Sequence, residues 1–132
     1  MIKVWTNGCF DLLHPGHIDC FEQARGFGDY LIVGLNSDRS VHELKGDGRP
    51  IMNQDQRQYI LLSIRLIDEV IIFDGEPELY ETIKMVKPDY IVKGADWKGK
   101  PIVGEDLAEV KFINFRFRTS TSEIIDRCQR EM

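Results

Sequence analysis

No apolar run in this chain approaches the ~20 residues that cross a bilayer; Leu31-Ile32-Val33-Gly34-Leu35 is typical of its apolar stretches. A membrane partner is not expected. Cysteine is scarce: Cys9, Cys20 and Cys128 are odd in number and form no C-x-x-C pair. A disulfide framework or a zinc site is therefore not expected, and a reducing cytoplasm fits best. A basic excess is missing too. Lys and Arg total 17 against 22 Asp and Glu, for a net charge of −5, which argues against a general nucleic-acid partner. Nor does the start, Met1-Ile2-Lys3-Val4-Trp5, have the charged-then-apolar layout of a secretory leader. What is present is 132 residues with 42% hydrophobic content, enough for one domain, residues 1–132, with a real core.

Strand and helix signals alternate along the chain. Ile2 to Thr6 reads as a strand and Pro15 to Phe27 as a helix, with Pro15 in its first turn and Ile18, Phe21 and Ala24 inward. Asp29 to Leu35 is a buried parallel strand by its continuous apolar run. Asn36-Ser37-Asp38 caps a short helix toward Leu44, and Asn53 caps a long one through Ile67, with Ile60, Leu61, Ile64 and Ile67 inward. Glu69 to Phe73, Tyr90 to Lys93 and Val110 to Phe115 read as strands; Pro77 to Val86 and Ser120 to Arg130 read as helices. This alternation predicts a Rossmann-like, doubly wound α/β fold: a five-stranded parallel sheet with helices on both faces. Ligands of such sheets bind beyond the carboxyl ends of the strands. On that rim fall Gly8 to His17, Asn36 to Asp38, Lys93 to Trp97 and the stretch before Ser120.

The chemistry concentrates in Thr6-Asn7-Gly8-Cys9-Phe10-Asp11-Leu12-Leu13-His14-Pro15-Gly16-His17. A glycine turn leads into a helix start bearing two imidazoles three residues apart. Exposed backbone N–H groups beside paired histidines suit a polyphosphate. A histidine near neutrality can donate to a phosphate or carry a proton toward one. Nucleotidyl transfer needs such groups, because the nucleophile arrives with the substrate and the protein positions groups and neutralises charge. Gly8 and Gly16 can let backbone approach phosphate. Asp11 is open to three roles: orienting an imidazole, binding a metal or capping the turn. Cys9 reads as a small space-filling residue. Lys45 and Arg49 flank glycines in Lys-Gly-Asp-Gly-Arg-Pro and form a candidate anion clamp. Arg57, near a helix start, opposes the helix dipole unless it faces an anion. Trp97 can stack on a base or cover the core, and Asp96 can accept a sugar hydroxyl. Ser120-Thr121-Ser122-Glu123 is a capping box whose hydroxyls can also meet phosphate, with Arg116 and Arg118 adding positive charge upstream.

Laid out this way, the chain resembles the small cytidylyltransferase-like nucleotidyltransferases. Their G-x-F-D-x-x-H-x-G-H segment stands here as Gly8 to His17, and their S-T-T-x-I as Ser120-Thr121-Ser122-Glu123-Ile124. The resemblance covers essentially the whole length. Asn36-Ser37-Asp38, Leu44 to Asp47, Arg49-Pro50, Gln56-Arg57, Val92-Lys93-Gly94, Asp96-Trp97 and Ile102-Val103-Gly104 resemble the adenylyltransferase domain of bacterial ADP-heptose synthesis. Those enzymes join ATP to a heptose 1-phosphate, such as D-glycero-D-manno-heptose 1-phosphate, and release pyrophosphate. Glycerol-3-phosphate cytidylyltransferase is similar in size and shares the histidine motif.

The resemblance implies roles. His14 and His17 would contact the triphosphate and stabilise charge at the attacked α-phosphorus. Thr6, Asn7, Gly8, Cys9, Phe10, Asp11 and Gly16 would line the nucleotide, with Lys93, Gly94, Asp96 and Trp97 by the nucleoside and Ser120, Thr121 and Ser122 by the β/γ-phosphates. Lys45 would bind phosphates at the reaction centre. Arg57 would hold the acceptor phosphate, with Asn36, Asp38 and Arg49 nearby. Magnesium would accompany the triphosphate, the partners would be an NTP and a phosphorylated sugar or polyol, and a homodimer is expected. One departure stands out: related chains commonly have a glycine shortly before the serine-threonine segment, where this one has Phe117-Arg118-Thr119. The alternatives are a CTP-dependent enzyme acting on glycerol 3-phosphate or another small phosphate, and a non-catalytic nucleotide-binding module.

Overall fold

A computed structural model describes residues 1–117 and 119–130. Strands β1 (Lys3–Gly8), β2 (Tyr30–Asn36), β3 (Glu69–Phe73), β4 (Tyr90–Gly94) and β5 (Glu109–Ile113) alternate with helices. These are α1 (Pro15–Arg25), α2 (Asp38–Lys45), α3 (Gln54–Leu62), α4 (Glu76–Val86) and α5 (Thr121–Arg130). The sheet is parallel throughout, in the order β3-β2-β1-β4-β5. Register sets Val4 beside Leu31 and Trp5 beside Ile32.

Alternation along the strands feeds two cores, as a sheet buried on both faces requires. Val4, Leu31, Val33 and Leu35 pack with Phe21 and Ala24 of α1 and Leu61 of α3. Trp5, Ile32 and Ile91 pack with Leu79 and Ile83 of α4 and with Ile102. The expected doubly wound sheet is therefore present. Trp5 also explains a glycine. A Cβ on Gly34 would lie 2.3 Å from the indole, so only glycine fits on β2 there. The same indole donates through Nε1 to Asn7 Oδ1 at 3.0 Å, which links the core to the rim.

Most element ends shift by one or two residues from expectation, but α3 is shorter by five. It stops at Leu62, where Ser63 Oγ donates back to the Tyr59 carbonyl, an arrangement that favours termination. Ile64 and Ile67 still reach the core from an irregular turn, whereas Ile60, expected inward, is exposed.

Candidate nucleotide and phosphate site

Strand order reverses between β1 and β4, and a cleft of about 1150 Å³ opens over the carboxyl ends there. This is where a doubly wound sheet leaves its crevice, and the volume exceeds what one small ligand fills. Of the described residues singled out from sequence, all line this cleft except Arg57, Asp38 and Arg116.

The two histidines form a capping box of their own. His14 caps α1, its Nδ1 accepting from the Gly16 amide at 3.1 Å, while His17 Nδ1 accepts from the His14 amide at 3.2 Å. The rings stack with centroids 3.8 Å apart, and His17 also meets Phe10 edge-on at 5.4 Å. An accepting Nδ1 carries no proton, so each neutral ring holds its proton on Nε2. Burial, with His14 alongside, pushes the His17 imidazole down to about 4. Burial lowers His14 as well. The helix start thus presents two neutral Nε2–H donors at pH 7. Gly16 serves the same device: a Cβ there would sit 2.9 Å from His14 Cε1. Phe10 and Leu12 hold positive φ of 48° and 58°, in the sharp turn that brings this helix to the rim.

Arg57 corrects an expectation. Its side chain is fully buried, and its donors are occupied by the chain itself. Nε donates to the Met52 carbonyl, Nη1 to those of Cys9 and Asn36, and Nη2 to Asp38 Oδ1 at 2.9 Å. Arg57 and Asp38 together bracket the loops after β1 and β2 from below and do not reach a phosphate in the cleft. The anion that offsets the helix dipole is Asp38 rather than a ligand. Asp11 resolves to a structural role of the same kind. Its buried carboxylate accepts from the Ile51 and Met52 amides at 2.7 and 3.0 Å and from Arg49 Nε at 3.1 Å. Arg49 also reaches Ser122 Oγ at 3.4 Å, which ties α5 to this loop.

Lys45 differs. It ends α2 and lines the cleft, and its ammonium makes no hydrogen bond or ion pair with the described residues. Lys93 is lowered from its usual range by burial and stands 4.8 Å from the centre of the Trp97 ring. Trp97 is 40% exposed in the cleft wall, so it does not cover the core. Ser120 caps α5 through the Glu123 amide, and Thr121 donates to the Leu12 carbonyl. Arg116 is turned away from the cleft and clasps Asp19 on α1 at 2.6 Å, so it adds no charge there. Arg118 lies outside the described residues.

The cleft also includes residues to which sequence reasoning gave no role at the site: Glu43, Phe73, Gly75, Glu76, Leu79 and Pro101 among them, with Ile102 and Val103 quoted only for the family resemblance. Gly75, two residues past the end of β3, was the available signal for this end. No group of three His, Cys, Asp or Glu able to hold a metal ion occurs among the described residues. With Asp11 occupied, the donor set does not fit a resident cation; magnesium would enter on the oxygens of a bound triphosphate.

A family model described as cytidylyltransferase-like matches residues 5–127. The bifunctional protein HldE of Aliarcobacter butzleri is 53% identical over 127 residues, covering 96% of this chain and 26% of that protein. HldE of Nitratiruptor sp. is 54% identical over 94% of this chain and 27% of its own length. The chain therefore spans about a quarter of these relatives. Among solved structures, a lipopolysaccharide core biosynthesis protein from Thermoplasma volcanium superposes with a TM-score of 0.72 at 25% identity, over 90% of this chain and 99% of that one. Pantothenate synthetase from Thermus thermophilus, at 15% identity and a TM-score of 0.60, shares the fold.

Proposed function

Because this chain belongs to the cytidylyltransferase-like family and is a nucleotidyltransferase, we propose that it transfers AMP from ATP to a heptose 1-phosphate and releases pyrophosphate. The names of its relatives, HldE and a lipopolysaccharide core biosynthesis protein, support a sugar of cell-surface glycans. The free thiols of Cys9, Cys20 and Cys128 suit a cytoplasmic site of action. The exposed Tyr59 and Leu62 on α3 offer an apolar surface for the expected homodimer.

The observation that carries the reading is the stacked histidine pair, its Nδ1 atoms fixed by backbone amides, in one cleft with the unpaired Lys45. An acceptor phosphate oxygen forms a bond to the α-phosphorus while the α–β bridging bond breaks and pyrophosphate leaves. Two neutral Nε2–H donors stabilise the oxygens that gain charge as the bond to the leaving pyrophosphate breaks. The Lys45 ammonium offsets the charge of two phosphates brought together. Trp97 and Lys93 provide a stacking face and a cation for the nucleoside end. Arg57 acts as a positioning residue for Cys9 and Asn36, whose carbonyls it holds.

Pyrophosphate release, measured with each of the four NTPs against heptose 1-phosphates and glycerol 3-phosphate, tests this. Release with ATP and a heptose 1-phosphate is expected. Release with CTP alone would remove the heptose assignment, and nucleotide binding without release from any pair would mark a binding module.

A further inference from the structure

The cleft is chemically lopsided. Its β1–β4–β5 side holds the histidine pair, Lys93 and the hydroxyls of Ser120 to Ser122. Its β3 side holds a carboxylate, Glu76, beside an apolar wall of Phe73, Leu79, Ile102 and Val103. Glu76 makes no hydrogen bond or ion pair with the described residues. It opens α4, whose N-cap is Gly75, with φ of 88° and no side-chain cap for the first-turn amides. Glu43, also in the wall, is paired with Arg39.

A free carboxylate repels phosphate, so neither the triphosphate nor the acceptor's phosphate belongs at this end. A carboxylate accepts only and suits hydroxyl donors. The uncapped Glu76 and Glu78 amides, either side of Pro77, donate, and an apolar wall suits C–H faces. Donor, acceptor and apolar wall together match a ring or chain carrying several hydroxyls. Resting on the function proposed above, we infer that Glu76 reads the hydroxyls of the acceptor sugar, at the end of the cleft away from the histidines. It thereby turns the acceptor's phosphate toward Lys45 and disfavours acceptors too short to reach it.

The test is steady-state kinetics of Glu76→Gln and Glu76→Ala, with Glu81→Gln on the outer side of α4 as a control. KM for the sugar phosphate should rise roughly tenfold to a hundredfold, the scale of one hydrogen bond to a charged group. KM for the NTP should stay within about twofold, since a merely structural role would move both. A deoxy-sugar phosphate lacking the contacted hydroxyl should respond alike to wild type and variants. Unchanged sugar KM in both variants, or equal losses for sugar and NTP, overturns the inference while the transferase reading stands. No turnover by wild type with any pair overturns both.

Discussion

Two cationic regions meet the same rim of the sheet and behave in opposite ways. Beneath the cleft floor, Arg57 is sealed among three carbonyls and Asp38. In the cleft wall, Lys45 and the histidine edges face outward, with Lys45 unpaired among the described residues. Both regions read from sequence as phosphate binders. A guanidinium offers five donors in a fixed fork, and here three backbone carbonyls and the Asp38 carboxylate fill four of them. An ammonium at a helix end has no such cage. What decides the role of a buried cation is how many of its donors the chain itself satisfies.

The largest effect should come from breaking the lower region. Arg57→Ala leaves three carbonyls and the Asp38 carboxylate without their donor, and is expected to lose on the order of 3 kcal/mol of folding stability. Denaturant unfolding at pH 7 checks this. An unchanged midpoint with only a weaker acceptor KM would return Arg57 to phosphate binding. Next is His17→Ala, expected to lower turnover ~100-fold or more, because a positioned donor to developing charge is of that size. Its unfolding midpoint should fall as well, since the amide of His14 loses its cap. Lys45→Ala should lower turnover by roughly tenfold to a hundredfold and leave the midpoint in place, as exposed positions without partners do. A Lys45 variant that unfolds early would erase the distinction between the two regions.

The sheet was legible because parallel strands buried on both faces are continuous apolar runs, as in Tyr30 to Leu35, and because caps such as Asn53 and Ser37 announce helices. The end of α3 was not, since Ile64 and Ile67 keep a helical spacing while Ser63 turns the chain and returns them to the core another way. The histidine pair was legible from its spacing. Its donor edges were not: which nitrogen faces the cleft depends on two backbone amides that only the folded cap brings within reach. Arg57 was misplaced for a related reason. Its partners are carbonyls of Cys9 and Asn36, 48 and 21 residues away, and carbonyls leave no trace in composition. Arg116 reversed for lack of a visible partner, Asp19 lying 97 residues earlier on α1. The β3 end of the cleft escaped because an exposed glutamate after a glycine looks like any helix start.

The smallest effect is a titration, and it sharpens the comparison by separating the ligand-facing region from the bracket. The folded His17 ring, at about 4, lies below the ~6.5 of an unfolded histidine. Between those values the unfolded chain binds a proton that the folded ring refuses, so stability rises with pH across this window. The contribution is complete above ~6.5 and is lost as pH falls toward 4, with His14 adding in the same direction. Asp19, held below its usual range by Arg116 against the opposing pull of burial, belongs to a lower window. Its contribution is present above the unfolded carboxylate value and lost only on further acidification. Unfolding midpoints from pH 7 to 3 should therefore fall in two stages, and His17→Ala should flatten the first while leaving the second. Saturating triphosphate should also shrink the first stage, because a bound anion favours the imidazolium that acid creates. A wild-type midpoint constant between pH 6.5 and 4 would mean that burial does not hold the His17 ring neutral. The two neutral donors assigned to the reaction would then have no structural cause.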